Sequence, residues 1–155
     1  MKRVNQPVLA NEYEEIQADL GEIKGDGPTE KRRLIDARLG QGGFRTALQK
    51  TWRGRCAVTG CSTASLLRAS HIKPWRNSSN KERLDPHNGL LLAPNVDATF
   101  DKGLFSIDAK GWVMISSRVR AVDRRALGLR ACKVAGLTTK HQDYLGEHQR
   151  ALFIK

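Results

Sequence analysis

The chain of 155 residues carries 27 lysines and arginines against 16 aspartates and glutamates, which is a net charge of +11. This length supports one domain with a modest hydrophobic core. No apolar run approaches 18 residues, which excludes a membrane span, and three cysteines, an odd number, do not suggest a disulfide framework.

The charge is unevenly distributed along the chain. Residues 1–30 hold three basic and seven acidic side chains, which leaves 24 basic and nine acidic ones in residues 31–155. Such a surplus favours nucleic acid as the partner, because cationic side chains release counterions from a polyanion. A basic surface without a ligand is the alternative. The amino-terminal residues lack an apolar signal-peptide core, so we expect a cytoplasmic protein.

Helical spacing occurs three times in the first third of the chain. Apolar residues four apart predict a helix over residues 44–52, and shorter patterns predict helices over 13–20 and 30–39. Two apolar runs, 57–59 and 66–69, are separated by glycine, serine and threonine, which predicts a hairpin or a loose pair of strands.

The polar segment 73–86 lies between two prolines and predicts a surface loop without regular structure. A short apolar strand is expected over 89–92. A helix over 94–102 follows, with Asn95 as a candidate cap and Gly103 as its end. The remaining predicted elements are a hairpin with strands over residues 104–107 and 113–116, and two helices over residues 121–129 and 139–153.

Three features in fixed order indicate metal-assisted phosphodiester chemistry. His71 stands where an apolar strand runs into a polar loop, and an imidazole with a pKa near neutrality can take a proton from water. Asn88 opens the second apolar run, where its amide can bond to the neighbouring loop or simply make a turn. A histidine that merely ends a strand is the structural alternative for His71.

Two aspartates stand four residues apart in the predicted helix 94–102. Asp97 and Asp101 therefore share one face, as two oxygen ligands of a hard cation would. The alternative is a solvated helix face with Asp101 paired to Lys102 or Arg68.

The sequence motifs HIKPW and LDPHNGLLLAPNVDATFDKGLF resemble motifs of the HNH endonuclease superfamily, specifically of its restriction-type branch. The similar block runs over about residues 44–116, and the terminal TKHQDYLGEHQRALF resembles the tail of that branch. The resemblance implies an α+β fold with a ββα-metal (His-Me finger) catalytic core, flanking helices and an extra β-hairpin. Together with the acidic charge of the first residues, it predicts an acidic arm or linker over 1–28 and a nuclease domain over 29–155.

Carried onto this chain, the resemblance makes His71 the general base, Asn88 the residue that braces the loop, and Asp97 and Asp101 ligands of one Mg²⁺ or Mn²⁺. The residue before the base binds metal in many members, whereas here it is Ser70, a weaker ligand. Many members also hold a structural zinc on two CxxC pairs. Here Cys56 and Cys61 lack a second pair, so we expect no zinc.

Basic side chains flank the base along the chain, and we expect several of them to contact DNA phosphates. Trp75 could stack on a base or pack beneath the loop. The candidate DNA-contacting residues are Arg68, Lys73, Trp75, Arg76, Lys81, Arg83 and Lys102.

These features predict a divalent-metal-dependent endonuclease that hydrolyses DNA, with a role in restriction or defence or a phage origin. The alternatives are a DNA-binding module with a decayed centre and the nuclease part of a larger sensor system. The sequence leaves open whether the protein forms a homodimer or works with a defence-system partner.

Overall fold

The computed structural model describes residues 42–155. The predicted acidic arm 1–28 and the predicted helices 13–20 and 30–39 lie outside the described residues. The expected α+β class is confirmed, because helices surround two separate two-stranded antiparallel sheets.

Helix α1 spans 42–51 of the described residues and agrees with the predicted helical spacing. Phe44, Leu48 and Trp52 are all buried along its inner side. The indole Nε1 of Trp52 donates a hydrogen bond of 3.2 Å to the carbonyl of Gly89. This buried bond ties the end of α1 to a distant strand.

Strand β1 (Arg68–His71) pairs with β2 (Gly89–Leu92) in an antiparallel register. The predicted pairing of residues 57–59 with 66–69 is therefore wrong. Residues 57–59 form a turn, and Ala57 donates to the carbonyl of Leu91 at 2.8 Å, so this segment lies beside β2. All four residues of β2 are buried, so this strand is covered by neighbouring elements on both faces.

The connecting loop, defined as residues 72–88, joins β1 to β2 and is more regular than its sequence predicted. It contains helix α2 (Asn80–Leu84) between two 3₁₀ turns, Trp75–Asn77 and Pro86–Asn88. Ser79 and Glu82 form a reciprocal capping box at the start of α2. A serine followed three residues later by glutamate is the signal for this helix, and it outweighs the irregular apolar pattern.

Helix α3 (Pro94–Asp101) follows β2 and packs against β1. Its buried residues are Val96, Thr99 and Phe100. The predicted cap Asn95 is wrong, since Ala93 occupies the N-cap and Pro94 the first turn, where a missing N–H costs nothing. Gly103 follows the helix with φ of 66°, as expected for its end.

The predicted hairpin is present as β3 (Phe105–Ile107) and β4 (Val113–Ile115). Two helices complete the described chain, α4 (Ala121–Ala126) and α5 (Thr139–Ala151). Helix α5 packs on β3 and on the 3₁₀ turn that precedes β2. No helix within residues 42–155 is long and apolar enough to cross a bilayer.

Residues 152–153, which follow α5, pack directly against Gly103 at the end of α3. A Cβ at this position would overlap the backbone carbonyl of Leu152, and the positive φ disfavours any side chain. We expect Gly103→Ala to lower the free energy of unfolding by at least about 2 kcal/mol, measured by urea denaturation. Gly43→Ala is the matched control, because Gly43 lies in α1 with open space around it; equal losses for both variants would contradict this account.

Candidate active site

His71 is the last residue of β1, and its ring is enclosed by two aromatic side chains. Phe44 stacks on the imidazole with ring centroids 4.2 Å apart, and Trp75 approaches edge-on at 5.5 Å. The cross-strand partner of His71 is Gly89, whose missing side chain leaves the space that Phe44 and Leu48 occupy. The strand register and the glycine thus determine the plane of the ring.

The tautomer of His71 follows from its hydrogen bond. Nε2 lies 2.9 Å from the carbonyl oxygen of Arg83, and a carbonyl only accepts, so Nε2 carries the ring proton. Nδ1 therefore holds a free lone pair. Burial lowers the pKa of His71, against the opposing effect of the bond to Arg83, so the imidazole is neutral at neutral pH.

Asn88 is fully buried, and its amide joins both sides of the connecting loop. Oδ1 accepts from the Lys73 amide at 2.8 Å, while Nδ2 donates to the Glu82 carbonyl at 3.0 Å and to Ser78 Oγ at 3.4 Å. These bonds hold the loop next to the carbonyl that orients His71. A turn-making role alone does not require such burial.

Asp97 and Asp101 stand on α3, next to β1. Burial raises the pKa of Asp101, and the nearby carboxylate of Asp97 raises it further, whereas the charge of Arg68 acts in the opposite direction. The charge of Asp97 thus disfavours ionisation of Asp101, an effect that a bound cation would oppose.

Ser70 shares one face of β1 with Arg68, because side chains alternate along a strand. Its hydroxyl is buried and has no hydrogen-bond partner within residues 42–155. A buried polar atom without a partner is uncommon and is compatible with an oxygen that completes a metal shell. Nevertheless, no group of three or more His, Cys, Asp or Glu side chains in the described residues is arranged to hold a metal ion.

The candidate DNA-contacting residues fall into two groups. Lys73 Nζ contacts Glu82 at 2.8 Å and Glu147 at 3.3 Å. Arg83 donates to the Trp75 carbonyl at 3.1 Å, and its guanidinium lies 4.5 Å from the Trp75 ring centre. The side chains of Lys73, Arg83 and Trp75 thus make contacts within the connecting loop. The exposed ones are Arg68, Arg76, Lys81 and Lys102.

Four further residues near the loop were not identified from the sequence. The bond from Lys73 lowers the pKa of Glu82 to about 2, which keeps this carboxylate ionised. Tyr144 donates to Asp85 at 3.1 Å, and Glu147 lies beside Lys73. The capping box could have revealed Glu82, but the partners of Tyr144 and Glu147 are too distant in the chain for any local signal.

The cysteines lie apart from this centre. Cys56 is buried in the hydrophobic core, and Cys61 packs against it. Cys132 Sγ lies 3.7 Å from the carbonyl of Val58.

Residues 56–108 match the family model described as HNH endonuclease. This segment, about a third of the chain, is similar to the HNH endonuclease family. The matched range contains β1, the connecting loop, β2 and α3, and so includes every candidate catalytic and metal-binding residue. The candidate site thus lies within a segment that is similar to HNH endonucleases.

Among solved structures, the domain is similar to a protein described as "Modification dependent TagI restriction endonuclease". The TM-score is 0.46 at 22% sequence identity, and the alignment covers 68% of this chain. The chain spans 35% of the length of that protein. No protein of curated function matches the sequence.

The hydrogen bonds of Asn88 generate a stability prediction. Asn88→Asp keeps the acceptor for Lys73 but loses the donor, and it places a carboxylate against the Glu82 carbonyl. We expect the free energy of unfolding to fall by about 2–4 kcal/mol in urea denaturation at pH 7.

Asn80→Asp is the matched control in the same loop. Asn80 is exposed and only accepts a hydrogen bond from Arg83, which aspartate can also accept. A similar loss for the two variants would show that the bonds of Asn88 do not stabilise the loop as described.

Proposed function

We propose that the protein is a divalent-metal-dependent DNA endonuclease of the HNH type in which His71 is the general base. The observation that carries the proposal is the bond from His71 Nε2 to the Arg83 carbonyl, which leaves Nδ1 as a free base. The family match of residues 56–108 supports the reaction class, and the basic excess of residues 31–155 supports a polyanionic substrate.

The proposed reaction begins with a water molecule beside His71. Nδ1 takes a proton from the water as its oxygen attacks phosphorus, and the bond from phosphorus to the 3′ oxygen breaks. The leaving oxygen takes a proton from solvent, so the products are a 5′-phosphate and a 3′-hydroxyl. The bond to Arg83 keeps the ring aimed while its charge changes, as an orienting partner does in other catalytic bases.

Asp97, Asp101 and Ser70 are the proposed holders of the cation. Two carboxylates and a hydroxyl suit Mg²⁺ or Mn²⁺, which retain water and substrate oxygens in their shells. When bound there, the cation would stabilise the negative charge that develops on the phosphate and on the leaving oxygen. The mutual repulsion of Asp97 and Asp101 supports this assignment, because a cation relieves it.

The order β1, β2 and α3, with the proposed base on a strand and the proposed ligands on the following helix, supports a ββα-metal core. We infer that Asn88 braces the connecting loop that orients the base. The exposed side chains of Arg68, Arg76, Lys81 and Lys102 are the proposed phosphate contacts. We propose a cytoplasmic restriction or defence role, which the chain would perform alone or as part of a larger system.

A DNA-binding module without catalysis is the second candidate. It is favoured by Ser70 at the position before the base and by the lack of a three-ligand cluster in residues 42–155. Nicking of a supercoiled plasmid in Mg²⁺ or Mn²⁺, compared with EDTA, separates the two. DNA binding without metal-dependent nicking would support the module.

We expect His71→Ala to lower plasmid cleavage by about 10²–10⁴-fold, because the variant lacks the proposed base. The affinity for a short duplex should stay within about twofold, since the imidazole is not a phosphate contact. Added imidazole should restore part of the activity by filling the space between Phe44 and Trp75. Retention of most cleavage activity by the variant would remove His71 from the role.

We expect Asp97→Asn to raise the half-saturating Mg²⁺ concentration for cleavage by about tenfold or more, because one charged ligand is lost. Asp101→Asn should act in the same direction. Asp143→Asn is the control, since this exposed carboxylate lies on α5. A metal titration identical to that of the unmodified protein would place the cation elsewhere.

A further inference from the structure

Helix α5 contacts the connecting loop through two side chains one turn apart. Tyr144 donates to Asp85 Oδ2 at 3.1 Å, and Glu147 lies 3.3 Å from Lys73 Nζ. Burial raises the pKa of Tyr144 to about 12, and the adjacent charge of Asp85 contributes, so the phenol keeps its proton and remains a donor.

Asp85, which accepts the bond from Tyr144, also forms hydrogen bonds within the connecting loop. Its Oδ1 accepts from the backbone N–H of His87 at 2.9 Å and from His87 Nδ1 at 2.8 Å, while its carbonyl accepts from Asn88 N at 2.9 Å. The side-chain amide of Asn88 then bonds to the backbone of Lys73 and of Glu82. Glu82 directly precedes Arg83, whose carbonyl orients His71. An unbroken series of hydrogen bonds therefore leads from Tyr144 to the loop around the proposed base.

Helix α5 also contacts the helix that carries the proposed metal ligands. His148 is buried, stacks on Phe100 at 3.9 Å and donates from Nε2 to the Phe100 carbonyl at 3.1 Å. Its Nδ1 accepts from Ser106 Oγ at 3.0 Å. Beyond α5, Ile154 donates to the Gly103 carbonyl at 2.9 Å. The end of α3 is thereby attached to the same helix as the loop.

We propose that α5 sets the position of the connecting loop relative to α3, and that Tyr144 and Glu147 are positioning residues for the base His71. This inference rests on the proposed function. The connecting loop orients the base and α3 carries the proposed ligands, and α5 bonds directly to the loop and to α3. A displacement of about 1 Å between reacting groups can cost about 100-fold in rate, so weak contacts that hold this distance affect turnover more than stability.

The test compares Tyr144→Phe and Glu147→Gln with Asp143→Asn, a control on the same helix whose carboxylate is exposed. We expect kcat for duplex cleavage to fall about tenfold in the first two variants, with KM and duplex affinity within about twofold. The control should match the unmodified protein. A purely structural role would instead lower the melting temperature and change kcat only through the folded fraction.

Amide hydrogen exchange of the metal-free proteins provides a readout that does not need cleavage. The Lys73 amide, which donates to Asn88, should exchange at least about fivefold faster in Tyr144→Phe, while core amides of β2 should not change. Unchanged exchange at Lys73, or unchanged kcat in both variants, would overturn the inference. If the unmodified protein does not cleave DNA, the proposed function fails, and the exchange measurement still decides whether α5 positions the loop.

Discussion

The pairing of β1 with β2 is the interaction on which the candidate site depends. Its register places His71 opposite Gly89, and only a residue without a Cβ leaves room there for the ring of Phe44. A slip of one residue would turn the His71 side chain to the other face of the strand. The fully buried β2 resists such a slip, because its apolar residues would also leave their positions.

The connecting loop is held by polar groups and not by a hydrophobic core of its own. Asn88 satisfies backbone groups on both sides of the loop, and the Arg83 carbonyl near them accepts from His71. Buried polar groups are costly when unpaired, so a network in which each partner is satisfied favours one loop conformation. The loop that the Asn88 bonds stabilise therefore also carries the carbonyl that determines the tautomer of the imidazole.

The basic side chains near the candidate site lie in two kinds of surroundings. Lys73 and Arg83 bond within the loop, whereas Arg68 and Lys102 remain exposed near the aspartates of α3. Net charge alone does not distinguish these surroundings, because it counts a side chain equally whether it meets a carboxylate or solvent. Only the second group can release counterions from DNA without first breaking an internal contact.

The sequence by itself determined the features that arise from neighbouring residues. Helical spacing predicted α1, and short apolar runs predicted β2 and the β3–β4 hairpin. The order of His71, Asn88 and Asp97 indicated the family that residues 56–108 match. The tertiary structure alone decided the partner of β1 and the bond of Tyr144 to Asp85, 59 residues away. Local patterns report which face of an element is apolar, but the choice among possible partners depends on the burial and hydrogen bonding of the whole domain.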